Sequence, residues 1–254
     1  MFLPKKNRRV LRKRRLGVPS APQKLLRPFI LSCDKRLPSL KVFIDSFLRV
    51  KDSLKQPIIF AGYSSKNEGY TSLLKQLDPV EIIPQPPNRS PSLNEHIREC
   101  MVKEFPRIIA SKYPNEDILF LEDDALLSSC FSEAVSNIQL LLASRKMHLL
   151  TLYAQGSGYN LDSRAFVIPF NGNSFHGNVG LVFSHRLMQW WVGNVDKIDD
   201  KSWRGCWDWC IGRGFENNSP FTWFTTSKSY VQHQVGYSVI DSKVKMEQSD
   251  SFIE

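Results

Sequence analysis

The chain has 254 residues, 42% of them apolar and 23% charged, which excludes global disorder and suffices for one large α/β domain with its own core. Its formal charge is +9, yet eight positive charges stand in residues 5–15 without a single acid, so the rest of the chain carries only +1. No run approaches the roughly 18 apolar residues of a spanning helix, no apolar signal core follows the basic start, and five cysteines, an odd and scattered set, argue against a disulfide framework.

These features predict a chain without a transmembrane segment, working in the cytoplasm (host cytoplasm if viral). The basic block reads in three ways: a solvated tail, a contact for nucleic-acid phosphates, or a contact for anionic lipid or another acidic partner. If all eight charges met phosphates, binding would fall with salt with a slope of up to about −7. Residues 1–27 are expected to be a basic, disordered arm and linker. Residues 28–240 are expected to form one folded domain, divided into 28–125 and 126–240, and 241–254 a polar tail.

In chain order, Phe29–Cys33 reads as a buried strand and Asp34–Ser39 as a loop. Leu40, Phe43, Ile44, Phe47 and Leu48 then make an amphipathic stripe capped by Ser39. Pro57–Ala61 is a second strand closed by Gly62, residues 70–77 a short helix, and Val80–Ile83 a third strand before a Pro-rich turn. Ser92 and Glu95 have capping-box spacing ahead of a helical stripe through Phe105. Asp117–Leu121 is a buried strand running into Glu122-Asp123-Asp124, and residues 132–145 follow as a helix. Leu149–Tyr153, Ala165–Phe170, Val179–Ser184 and Tyr230–Val235 are later strands. The alternation over 28–153 predicts a mainly parallel sheet with helices on both faces, binding its ligand at the C-terminal strand ends.

Three adjacent acids at the end of a buried strand repel one another and resist desolvation, so a cation should compensate them. Hard oxygen donors suit Mg²⁺ or Mn²⁺, and Glu122 and Asp124, alternate in an extended chain, would face one ligand. The alternative is a solvated turn whose acids cap the next helix. Cys206 and Cys210 lie four apart but lack the further nearby ligands of a zinc site.

The segment ILFLEDDALL resembles the acidic DxD-type motif of GT-A glycosyltransferases, in its LEDD form. Gln232-His233-Gln234-Val235-Gly236 resembles the QHxG segment near the end of several such enzymes. The resemblance covers about residues 28–238 as a pattern of short motifs. It implies a GT-A-like, Rossmann-type α/β/α sandwich with a mainly parallel central sheet and an irregular acceptor sub-region. It implies Mn²⁺ or Mg²⁺ held by Asp124 with Glu122 or Asp123 and with His233, against the diphosphate of a nucleotide-sugar, a UDP-sugar foremost.

Phe175–Ser184 looks like the family's Gly-containing acceptor strand, which makes Gly177, Asn178 and Gly180 acceptor candidates. Trp207-Asp208-Trp209 resembles the acidic segment that holds the acceptor hydroxyl. That gives Asp208 the role of general base, in an inverting reaction, with Trp207 and Trp209 stacking on sugar. By position, Cys33, Asp34 and Arg36 at the first strand end, and Asn94 and Arg98 one turn apart on a helix, are candidates for the nucleotide-sugar.

The expected acceptor is a saccharide or, given the basic arm, a modified base in DNA. Two rivals use the same features: a metal-dependent nuclease or phosphotransferase, and a non-catalytic basic-armed nucleic-acid-binding protein.

Overall fold

A computed structural model describes residues 26–62, 67–90, 92–153, 165–169, 179–199, 207–234 and 252. The expected arm, linker and tail lie outside these residues. Among the described residues the strands are β1 (Leu26–Cys33), β2 (Ile58–Gly62), β3 (Glu81–Pro84), β4 (Asp117–Glu122), β5 (Ala125–Leu127), β6 (Leu149–Thr151), β7 (Val167–Pro169), β8 (Gly180–Phe183), β9 (Trp223–Thr226) and β10 (Val231–His233). Helices are α1 (Leu37–Val50), α2 (Glu68–Lys75), α3 (Leu93–Glu99), α4 (Phe105–Lys112), α5 (Phe131–Ala143), α6 (His185–Val192), α7 (Val195–Ile198) and α8 (Trp207–Asn218). Among the described residues no helix is long and apolar enough to cross a membrane.

Eight strands form one sheet in the order β3-β2-β1-β4-β8-β6-β9-β7, in which only β8 and β7 run against the rest. This is the expected mainly parallel α/β/α sandwich. The central strands lack polar alternation because both sheet faces are covered. In β4, Leu119 and Leu121 join the core under α1, α2 and α5, with Leu40, Phe43, Tyr70 and Phe131. Ile118 and Phe120 join the opposite core under α4, α6 and α8, with Phe105, Trp191 and Ile211.

Several elements depart from expectation. Helix α1 begins at Leu37, with Arg36 at its N-cap and Pro38 in its first turn. Ser39 is therefore inside the helix and does not cap it. Ser92 does cap α3, its Oγ accepting from the Glu95 N–H at 3.2 Å. The stripe expected to run unbroken to Phe105 is interrupted by a π-helical turn over residues 100–104. Pro106 explains it: without an N–H and with a ring that crowds the carbonyl four residues back, it forces the helix to widen just before it. The strand expected over Tyr230–Val235 is shorter and leaves the main sheet. As β10 it pairs antiparallel with β5, an element the sequence did not suggest, placing His233 opposite Ala125. Helices α6 and α7 and strand β9 were likewise not anticipated.

Strand β10 crosses the end of β8. A Cβ placed on Gly180 would stand 2.9 Å from Val231 Cγ2, so Gly180 serves close packing rather than approach of a sugar. Gly180→Ala should destabilise by about 1–3 kcal/mol. Adding Val231→Ala should recover part of the loss, which a double-mutant cycle in urea would show.

At the other end of the sheet, Glu116 receives Arg27, whose Nη2 is 3.0 Å from Oε1, and Lys55, whose Nζ is 3.1 Å away. Burial favours the neutral acid, but these two cations outweigh it and hold the Glu116 carboxyl below its usual range. The resulting stabilisation is present above the unfolded pKa and lost as pH falls through the folded one. Glu116→Gln should therefore cost about 1–2 kcal/mol at pH 7 and progressively less on acidification.

Candidate metal centre

Strand β4 delivers Glu122, Asp123 and Asp124 to the C-terminal edge of the parallel strands, where β1 also ends. Alternation sends the three carboxylates different ways. Asp123, 1% exposed, turns toward β1. Its Oδ2 accepts from Ser32 Oγ at 2.8 Å and from the Cys33 N–H at 2.9 Å, and its own N–H donates to the Leu31 carbonyl at 3.0 Å. It ties two strand ends together.

Glu122 and Asp124 face a common space with His233. One ligand atom from each of the three lies within 4.8 Å of the others. Asp124 is 6% exposed and His233 8%. His233 reaches this place because β10 pairs with β5 and its successor clamps the turn. The Gln234 N–H donates to the Asp124 carbonyl at 3.0 Å, and Gln234 Nε2 donates to Ser39 O at 2.9 Å and Ala125 O at 3.3 Å. The Tyr153 ring stands edge-on to the imidazole, 6.0 Å between centroids.

A fourth charged group enters from α1. The Arg36 carbonyl accepts the first helical bond, from the Leu40 N–H at 2.8 Å, and the guanidinium folds back over the acids. Its Nη1 lies 2.7 Å from Asp124 Oδ2, 3.3 Å from Asp123 Oδ1 and 3.8 Å from Glu122 Oε2. Opposite charges at about 4 Å attract by about 4 kcal/mol at an effective dielectric of 20, while removing each ion from water costs several. One arginine thus cannot neutralise three ionised carboxylates, and the imbalance is met by shifts in their protonation.

The acids respond unequally. Burial, then the charge of Asp124, pushes the Glu122 carboxyl up to about 7. Burial lifts Asp123 to about 6 against the pull of Arg36. Asp124 is held below its usual range because the His233 imidazole and Arg36 outweigh burial. His233 is raised, burial being overcome by Asp124 and then Glu122.

The residues fit a divalent cation. Two carboxylates and an imidazole are a donor set for Mg²⁺ or Mn²⁺. Asp124 Oδ1 and His233 Nδ1 face each other across 3.6 Å, both buried and neither hydrogen-bonded. Asp123, a metal candidate from sequence, is not in this trio, since its oxygens are taken by Ser32, Cys33 and Arg36.

The other sequence candidates divide. The Cys33 thiol is pushed up to about 11 by burial and by Asp123, so it stays neutral. Asp34 sits at the same strand edge, its N–H donating to Gly62 O at 3.1 Å. Asn94 is half-buried in the first turn of α3. Arg98 is ion-paired, bonding Asp199 at 2.6 Å, with Lys103 on the same carboxylate at 3.3 Å.

Trp207 cannot stack on a sugar, because it is buried edge-on against Phe120 with centroids 5.3 Å apart. Phe120 shares its strand face with Glu122, so this contact sets the first turn of α8, with Asp208, on the Glu122 side of β4. Gly177 and Asn178, and the side chain of Trp209, lie outside the described residues. Ser32, Gln234 and Tyr153 were missed as supporting residues. A polar residue inside the apolar run FILSC was the available signal for Ser32.

No protein-family model matches this sequence, and no curated protein matches it. Among solved structures, the chain resembles a crystal structure of TarS from S. aureus, with a TM-score of 0.55 and 8% identity over 82% of this chain and 60% of that one. The chain thus spans about 60% of the length of that structure. A weaker likeness, TM-score 0.45 and 13% identity over 80% of this chain and 87% of the other, is to a 4-diphosphocytidyl-2C-methyl-D-erythritol synthase from Anaerococcus prevotii.

The two aspartates should separate by their effect on stability. Asp123→Ala leaves Ser32 Oγ and the Cys33 N–H unpaired in the interior and should cost about 3–5 kcal/mol. Asp124→Asn gives up the charge that Arg36 and His233 hold but keeps an amide oxygen that can accept from the guanidinium, and should cost a smaller amount, about 1–2 kcal/mol. Thermal unfolding of both variants without metal checks the contrast. What carries this comparison beyond the site itself is the fold, which is GT-A-like.

Proposed function

We propose that this chain is a metal-dependent glycosyltransferase that moves a sugar from a nucleotide-sugar, a UDP-sugar foremost, to a hydroxyl acceptor. The observation that carries the reading is the convergence of Glu122, Asp124 and His233 at the C-terminal edge of a parallel GT-A-like sheet. That edge is where open α/β sheets bind ligands.

Glu122, Asp124 and His233 would hold Mn²⁺ or Mg²⁺, which supplies charge stabilisation to the leaving diphosphate when bound. Asp123 keeps the ends of β1 and β4 together beneath it. Asp34, next to the Asp123 tether, would accept from the nucleoside. Asp208, on the first turn of a helix anchored through Trp207, takes the proton of the acceptor hydroxyl as that oxygen attacks the sugar C1, with inversion. The eight positive charges of residues 5–15 favour a polyanionic acceptor such as DNA carrying a hydroxylated base.

A thermal-shift screen of UDP-, GDP-, CMP- and dTDP-sugars with and without Mn²⁺ tests the donor. At 100 times its dissociation constant the correct donor should stabilise the protein by about 2.7 kcal/mol, and a flat response across the screen would sink the reading. Asp124→Asn should abolish the Mn²⁺-dependent part of that shift. Asp208→Asn should keep the shift while lowering turnover by about 10²–10⁴-fold. Removing residues 1–16 should weaken turnover on duplex DNA and flatten its salt dependence. Unchanged turnover after that deletion points to a saccharide acceptor.

A further inference from the structure

We infer that Arg36 makes divalent-cation binding conditional on the diphosphate, so that metal and nucleotide enter together and the ion alone is held weakly. The inference rests on the glycosyltransferase reading and concerns a residue of that same site. Two carboxylates of the site are already engaged by the guanidinium, with Asp124 Oδ2 at 2.7 Å and Glu122 Oε2 at 3.8 Å. The third ligand, His233, also lies on Asp124. A cation entering this space meets a fixed positive charge that cannot titrate away, since a guanidinium stays charged in proteins.

The atoms show how both can nevertheless be accommodated. Arg36 bonds Asp124 through Oδ2, and leaves Oδ1 facing His233 Nδ1 at 3.6 Å, an ion-pair distance with no hydrogen bond made by either atom. Arg36 Nε is also buried without a partner, so the guanidinium retains unused donor capacity. A diphosphate supplies what is missing: anionic oxygens that accept from guanidinium N–H groups and cancel the repulsion on the ion.

Arg36 also orients Asp124, and losing such a partner lowers metal affinity by about 10–100-fold in other sites. Here charge repulsion across a buried space acts in the opposite sense and is the larger effect. A plain orienting role and a coupling role therefore predict opposite signs.

The test is Mn²⁺ titration by electron paramagnetic resonance, at known free ion concentration, with and without UDP, GDP or inorganic pyrophosphate. In the wild-type protein a diphosphate should tighten Mn²⁺ binding by about 5–150-fold, the usual span of a coupling between sites. Arg36→Met should bind Mn²⁺ alone about tenfold or more tightly than wild type and show little further tightening with diphosphate. Arg36→Lys, which keeps the charge, should retain most of the coupling.

Equal Mn²⁺ affinity of the wild-type protein with and without every diphosphate overturns the inference, even if Arg36→Met fails to fold. Weaker Mn²⁺ binding by a folded Arg36→Met also overturns it and leaves the arginine as an orienting residue. Absence of Mn²⁺ binding to wild type under all conditions removes the glycosyltransferase reading itself, and this inference with it. Mn²⁺–diphosphate binding without the Arg36 effect leaves that reading standing.

Discussion

The structure turns on a charge imbalance at one strand end. Three consecutive carboxylates are carried into the interior by β4, and one guanidinium answers them. Most of the local architecture distributes this burden. Asp123 is satisfied by β1 through Ser32 and the Cys33 N–H, which removes it from the open side of the site. Asp124 is shared between an arginine from α1 and a histidine from β10. Glu122 is left as the carboxyl most willing to hold a proton. Glu122 and Asp124 are thereby left facing His233 across one small space, which links a sequence oddity to the proposed chemistry.

Geometry follows from the same constraint. To bring His233 against Asp124, the chain after β9 must return over the end of the sheet. Gly180 leaves room for Val231 beneath it, and Gln234 locks the return to the start of α1 and to Ala125. The small β5–β10 sheet is thus a bracket whose purpose is positional. Its core contribution is modest, Ala125, Leu127 and Val231 being the buried side chains it adds to the larger cluster.

Much of the fold was legible in the sequence, for identifiable reasons. Strands β1, β2 and β4 centre on apolar runs ending at turns, and α1 and α3 show clear stripes and, for α3, a capping serine. The acid cluster stood out because three adjacent acids at the end of a buried strand call for a counter-charge, and His233 through the resemblance of its segment to QHxG. What could not be read depends on tertiary contact. β5 has three residues and no pattern of its own, and it is a strand because β10 pairs with it. The opposite fates of Asp123 and Asp124 depend on which face meets Ser32. Trp207 and Gly180 have the composition of a sugar site but do packing work, a distinction that only neighbouring side chains reveal. The pairing of Arg98 with Asp199, which lies 101 residues away, is likewise a tertiary contact with no local signal.

That long return has a consequence for biosynthesis. Gln234 meets Ala125 across 109 residues of chain. At a translation rate of about 5–20 residues per second, β4 and its acids exist for roughly 5–20 s before the histidine strand has been made. Arg36 precedes both, so a nascent chain already contains a partner for the acids before their imidazole arrives. The arginine is then a placeholder in time as well as in space, guarding a half-built site from the cost of bare negative charge while the ribosome finishes the bracket that completes it.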